Sequence, residues 1–345
     1  MKRFLLIVGI LLAALAIGYV AGPHAEMIHS QVPSWTISTD LTKLDSDIAH
    51  YEAGFKLRPD NQARVIWADS SHKAKTPYSI VYVHGYTASW AEGEPVHRDI
   101  AKRFGCNLYL SRNAGHGLDS PTPMKDLSPE AYLASAERAL AIGKTLGDKV
   151  IVIGTSMGGM LTLYLASRHP EISGILLYSP CIEVANPALK LITKPWGQQI
   201  LNKTFPGNEV GGGKPNPKRA PYWYSGYHTN GLLVLQTVLD EYATPETFAK
   251  VKQPVFLGYY YKDKDHQDET VSVAAALRMY DELGTPEALK RKQAFPNANA
   301  HVIASRLATD DWPAVETASV KFLEEILKLQ PIATTQATIA LHLKK

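Results

Sequence analysis

The sequence predicts an α/β protein: a mostly parallel, doubly wound sheet with helices on both faces and one inserted cap. Three observations predict it. Strand-like and helix-like segments alternate from about residue 63 to residue 330, the rhythm of a parallel sheet whose crossovers are helices. One run, Lys-Val-Ile-Val-Ile-Gly at 149–154, is apolar without alternation, as a strand covered on both faces must be. The rhythm then stops between about 183 and 250, a stretch rich in Pro, Gly and Lys, and this reads as the insertion.

The elements follow in chain order. Lys2 and Arg3 precede an apolar run, Phe4 to Val20, that continues to Gly22. As a helix, seventeen residues span about 26 Å, close to a hydrocarbon core of roughly 30 Å. The run stays apolar beyond Ala14-Leu15-Ala16, where a cleaved signal would turn polar, so residues 1–22 read as an uncleaved anchor with its basic end in the cytoplasm. The body is then exported and membrane-held; a secreted or periplasmic protein freed by signal cleavage is the alternative. Residues 23–62 form a spacer, with Pro23 and Pro33, and a leading helix near 41–51. Strands follow at 64–67, 78–84 and 107–111, with a helix at 94–104 between the last two. Ser128-Pro129-Glu130 opens a helix with a capping hydroxyl, a proline at the first position and an acid in the first turn. Beyond it come the 149–154 strand, a helix from 157 to 169 stopped by Pro170, and strands at 172–178, 255–261 and 291–295 with helices at 271–283 and 313–328. The core is therefore 63–182 with 251–330, the cap 183–250 and the C-terminal tail 331–345.

Composition narrows the function classes. The chain is 45% apolar and 20% charged, with a net charge of +3, which excludes a disordered or fibrous chain. There is no Lys/Arg stripe interleaved with aromatics, so no nucleic-acid partner is expected. Cys106 and Cys181 fit neither a metal spacing nor a CxxC pair, and no metal is expected.

The chemistry centres on Gly154-Thr155-Ser156-Met157-Gly158. The pentapeptide alone is weak, but here it joins a buried strand to a helix, the setting in which a serine hydroxyl is presented as a nucleophile. A capping serine in a glycine-rich turn is the bland alternative. Serine needs a base oriented by an acid. His301 lies in a loop after the final strand and is the base; His266 is its nearby rival. The acid comes from YYYKDKDHQDETVSV at 259–273, with Asp268 favoured because it occupies the last turn before a helix, and Asp265 and Asp263 as alternatives. The N–H groups of Tyr86, after the strand that ends at His84, and of Met157, after the serine, form the expected oxyanion hole. His84 and His116 read as structural. In the cap, Trp196, Tyr222, Trp223 and Tyr224 are candidates for substrate binding, because aromatic clusters line apolar acyl pockets. Six basic residues against two acids between 183 and 228 argue against a site for a free amino terminus.

Taken together, His84-Gly85-Tyr86, Arg112-Asn-Ala-Gly-His-Gly117, Gly154-Thr-Ser-Met-Gly-Gly159, an Asp-x-x-Val at 268–271 and the late His301-Val302 resemble the α/β-hydrolase superfamily, and within it bacterial carboxylesterases and monoacylglycerol-lipase-like enzymes. The resemblance implies a cap after the sixth strand, no cofactor, an ester or lipid substrate and a covalent acyl-enzyme. Thioesterase or acyltransferase chemistry on the same scaffold is the alternative, followed by a serine peptidase and a silent binding protein. Serine rather than aspartate at position 156 excludes halide release.

Overall fold

A computed structural model describes residues 1–25, 32, 35–214 and 216–332; Pro33 of the expected spacer and residues 333–345 of the tail lie outside them. The main sheet has seven strands in the order β1-β3-β2-β4-β5-β8-β9. They are β1 (Arg64–Ile66), β2 (Thr76–Val83), β3 (Asn107–Leu110), β4 (Gly147–Thr155), β5 (Ile172–Tyr178), β8 (Val255–Tyr259) and β9 (Lys290–Ala294). Only β1 runs antiparallel. The insertion was expected after a sixth strand. It leaves the sheet after β5, the fifth strand of the chain, because β1 alone is added at the edge beyond β3.

The central strands carry two cores at once. Val81, Val83, Val150 and Val152 point into one cluster, packed under α4 (Pro129–Leu146) and α5 (Met157–Arg168). Their neighbours Ile80, Tyr82, Ile151 and Ile153 point into the other, under α3 (Val96–Phe104) and α10 (Trp312–Glu325). Successive side chains of a strand leave on opposite faces, so an uninterrupted apolar run is the sequence image of a strand buried on both sides. Cys106 lies in the second cluster and Cys181 in the first, with the sheet between them, and both are free thiols.

The N-terminal α1 (Lys2–Val20) buries no residue and is long and apolar enough to cross a membrane. The leading helix α2 (Leu44–Ala53) is fixed by a buried ion pair, Glu52 with Arg112 at 2.6 Å. Between β5 and β8 the chain is more regular than its Pro/Gly content predicts. It forms a short 3-10 turn (Pro187–Leu191), α6 (Gly197–Thr204), a two-stranded ribbon of β6 (Glu209–Gly211) with β7 (Gly226–His228), α7 (Asn230–Tyr242) and α8 (Pro245–Lys250). Val238, Leu239 and Phe248 of the last two helices join the first core cluster, so this segment also closes the core beside α5. The remaining helix, α9 (Val273–Glu282), follows the acid-rich turn.

Candidate active site

Ser156 stands where the central strand β4 ends and α5 begins, with φ 55° and ψ −122°. A non-glycine residue there is strained, and such strain persists only where the surroundings enforce it. The enforcing contacts are visible at two glycines. A Cβ on Gly158 would meet the Val83 carbonyl oxygen at 2.0 Å, and one on Gly154 would meet the Gly158 oxygen at 2.3 Å. Strand and helix therefore approach more closely than any side chain permits, and the turn between them is forced tight. The Ser156 N–H donates to Tyr178 O at 2.9 Å and its carbonyl accepts from Cys181 N–H at 2.9 Å, which locks the turn to the end of β5.

His301 Nδ1 lies 2.6 Å from Asp268 Oδ2. Burial raises the Asp268 pKa, but the His301 hydrogen bond and charge, together with the N–H groups of Thr270 and Val271, outweigh it and hold the carboxyl below its ordinary value. Those two N–H groups reach Asp268 Oδ1 at 2.8 and 3.1 Å, so one oxygen anchors the loop and the other faces the imidazole. The second ring nitrogen, His301 Nε2, is buried with no hydrogen-bond partner among the described residues. Both Ser156 and His301 line one cavity of about 570 Å³.

The other acids of the turn point elsewhere. Asp263 accepts from His266 Nδ1 at 2.8 Å and from the backbone N–H groups of Asp265 and His266, all in an exposed loop. A bridge between Tyr261 and Gln267 closes that loop at its neck, and Asp268 N–H donates to Tyr260 O just inside it. Residues 262–266 thus leave as a solvent loop, and Asp268 resumes at the strand end. His266, the rival base, is consumed within that loop.

Tyr86 and Met157 both line the cavity, and among the described residues neither backbone N–H has an acceptor. His84 and His116 are fully buried, their pKa values lowered by burial, His116 to about 4. His84 Nε2 accepts from Asn113 N–H at 3.1 Å, and His116 Nδ1 meets Ala114 O at 2.8 Å. They brace the loops after β2 and β3 as neutral rings.

Of the four aromatic candidates, Trp223 and Tyr224 line the cavity. Two do not. Tyr222 turns to the other side of its turn, where its hydroxyl donates to Asp60 Oδ2 at 2.8 Å and its ring meets Trp90 edge-on. Trp196 sits at the outer end of the insertion, with its indole N–H donating to Gly18 O at 3.0 Å. Aromatic clustering in the sequence does not say which side of a turn a ring takes.

A buried acid in the lining escaped the sequence reading. Glu92, in a 3-10 turn at Trp90–Gly93, is only 2% exposed. Its Oε2 accepts from Gly85 N–H at 2.5 Å and from Tyr82 Oη–H at 3.3 Å. Burial drives its pKa up to about 7, against the lowering effects of the Gly85 N–H, His301, Tyr82 and Arg219. A carboxyl raised from 4.5 stabilises the fold fully below that value and loses the contribution as pH climbs through about 7. Glu92→Gln is therefore expected to flatten this slope: denaturant unfolding at pH 5 and pH 8 should show wild type losing up to roughly 3 kcal/mol more than the variant. Equal slopes would place the Glu92 titration outside that window.

A family profile described as "Serine aminopeptidase, S33" (Hydrolase_4) matches residues 74–338. The chain belongs to the Hydrolase_4 family. This Hydrolase_4 chain has the α/β-hydrolase fold and is a serine hydrolase. A thermostable monoacylglycerol lipase from Bacillus sp. (strain H-257) is 27% identical over 202 residues, 58% of this chain and 75% of that one. Two solved structures share the fold. One comes from work on LipS and LipT, two metagenome-derived lipolytic enzymes, with TM-score 0.63 and 20% identity over 78% of this chain and all of the other. The second is a soluble variant of monoglyceride lipase from Saccharomyces cerevisiae with a substrate analog, with TM-score 0.56 and 16% identity over 76% of this chain and 91% of the other.

Proposed function

We propose that the protein is a membrane-anchored serine hydrolase of lipid-like carboxylic esters, with Ser156 as nucleophile, His301 as base and Asp268 as the acid that orients it. The observation that carries this reading is the strained Ser156 opening onto the same cavity as His301, which is bonded to the buried Asp268. In the reaction the Ser156 hydroxyl gives its proton to His301 Nε2 and its oxygen attacks the ester carbonyl. The carbonyl oxygen becomes an oxyanion, met by the N–H groups of Tyr86 and Met157. His301 passes the proton to the leaving alcohol, and an acyl group stays on Ser156. Water then repeats the sequence, giving its proton to His301 and its oxygen to the acyl carbon, and the serine is restored.

The lining supports an ester with one apolar and one polar end. Val184, Leu189, Leu232, Leu235 and Val271 make an apolar wall suited to an acyl chain, while Thr87, Glu92, Arg219 and Asn299 supply polar groups for the alcohol. A peptide amino terminus would need a free carboxylate. Among the described residues Glu92 is the only acid in the lining, and Gly85 N–H and Tyr82 Oη–H already engage it. The relatives named for monoacylglycerol lipase activity favour monoacylglycerols as the substrate class. α1 serves as the anchor, with Lys2 and Arg3 on the cytoplasmic side and the catalytic body outside the cytoplasm.

Hydrolysis of p-nitrophenyl esters of increasing acyl length, beside monoacylglycerols and amino-acid p-nitroanilides, tests the reading. Esters should be cleaved and the anilides left intact. Preferential cleavage of the anilides, or of acyl thioesters over esters of the same chain, would replace it.

A further inference from the structure

We propose that the outer face of the insertion, formed by Pro187–Leu191 and α6, is a membrane-docking surface that rests on the bilayer from which α1 emerges. The proposal rests on the anchor and lipid-ester reading above.

Leu191 and Ile200, each 63% exposed, and Trp196, 44% exposed, are the three most exposed large apolar side chains among the described residues after α1. Single exposed apolar residues are ordinary, but three within ten positions form a patch that needs a partner. The structure also says where that patch lies. Trp196 donates its backbone N–H to Pro23 O at 2.9 Å and its indole N–H to Gly18 O at 3.0 Å. Two hydrogen bonds therefore hold the patch against the last turn of α1, at the end opposite Lys2 and Arg3. Nineteen helical residues reach about 28 Å, so this end comes out where hydrocarbon gives way to headgroups. A tryptophan with an apolar body and a polar N–H is the side chain that favours that depth.

The neighbouring charges suit the same plane. Lys190 is paired with Glu183 at 2.7 Å and Lys194 with Asp240 at 2.9 Å, which keeps them from pulling the apolar side chains away from lipid. Lys203, in the last turn of α6, makes no ion pair among the described residues and is a cation for an anionic headgroup. A bilayer is the occupant rather than another protein, because the helix that spans it is bonded to the patch itself.

The patch is continuous with the cavity. Leu189, two residues before Leu191, lines it, and so does Leu232. Leu232 packs with Ile192, Leu201 and Leu233 in one small cluster beneath the exposed face of α6. Apolar side chains thus lead from the docking face to the acyl wall, and a lipid ester can pass between bilayer and site without crossing bulk water.

The test uses the full chain in phosphatidylcholine/phosphatidylglycerol vesicles. Burial pushes the thiols of Cys106 and Cys181 up to about 12, so a cysteine introduced at Ile200 labels selectively with an environment-sensitive fluorophore. A Lys75→Cys control reports from an exposed position at the opposite end of the sheet. Quenching of the Ile200→Cys label by doxyl lipid, with the Lys75→Cys label unaffected, is the expected result. If the chain resists carbonate extraction while both labels stay unquenched, docking is overturned and the anchor stands. A chain that carbonate extracts overturns the anchor and the docking with it. In activity, the pair Leu191→Glu and Ile200→Glu should slow hydrolysis of vesicle-borne ester at least about fivefold and leave a short water-soluble ester unchanged. Equal turnover of the vesicle-borne ester by wild type and variant would also overturn the proposal.

Discussion

Ser156→Ala is expected to lower ester turnover about ten-thousandfold or more while leaving the fold intact. The hydroxyl is the only group removed, and the positive φ at this position is imposed by the close approach of β4 and α5 rather than by the side chain. Alanine keeps the helix start, the Tyr178 and Cys181 backbone bonds and the N–H groups of Tyr86 and Met157 proposed as oxyanion donors. What disappears is the proposed nucleophile, and in enzymes that use this chemistry such a loss costs about four to six orders of magnitude in kcat. Binding of a non-hydrolysable ester analogue should stay within about threefold. A fluorophosphonate probe should label wild type at Ser156 and leave the variant unmarked. Residual turnover near the wild-type rate would transfer the chemistry to another group.

Asp268→Asn should be nearly as damaging, on the order of ten-thousandfold in kcat, whereas Asp263→Asn and Asp265→Asn should leave turnover within about twofold. The carboxylate does two things at once. In the proposed triad, Oδ2 fixes the imidazole with Nδ1 protonated, which leaves Nε2 free to take the serine proton, and the carboxylate stabilises the imidazolium that would form during attack. Asparagine matches the shape, but presenting its amide N–H to Nδ1 favours the other tautomer. Its remaining oxygen still accepts from Thr270 and Val271 N–H, so the loop should hold and the effect should fall on kcat rather than on stability. Steady-state kinetics beside thermal unfolding of the three variants would decide it. Comparable losses in Asp263→Asn would move the acid into the exposed loop.

Much of this was readable from residues alone, for reasons that also explain what was not. β4 announced itself because a strand covered on both faces needs no polar alternation, and the serine pentapeptide gained meaning from its place at that strand's end. Asp268 stood out by its distance from the next helix, although the sequence does not reveal that Tyr261 and Gln267 pinch off the intervening residues. Glu92 escaped because an acid in Trp-Ala-Glu-Gly reads as surface. Only three-dimensional burial, with Tyr82 Oη and Gly85 N–H against it, makes it a raised carboxyl beside the His84-Gly85-Tyr86 loop. The one local hint is that it follows the His84-Gly85-Tyr86 loop by a single short turn. Composition nominates Trp196 and Tyr222 for substrate binding, because it sees aromatic density but not the direction a turn gives each ring. The regular elements between β5 and β8 were hidden by the prolines and glycines that join them.

The pinched loop at 262–266 has a practical consequence. Because the Tyr261–Gln267 bridge and the Asp268-to-Tyr260 bond close its neck, what happens at its tip is mechanically uncoupled from the aspartate a few residues away. Adding length to a loop whose ends are already held costs entropy that grows only with the logarithm of the added length. The tip around Lys264 is thus a natural port for foreign sequence. An epitope or a surface tether can be carried there, a few residues from Asp268, with that aspartate kept in register.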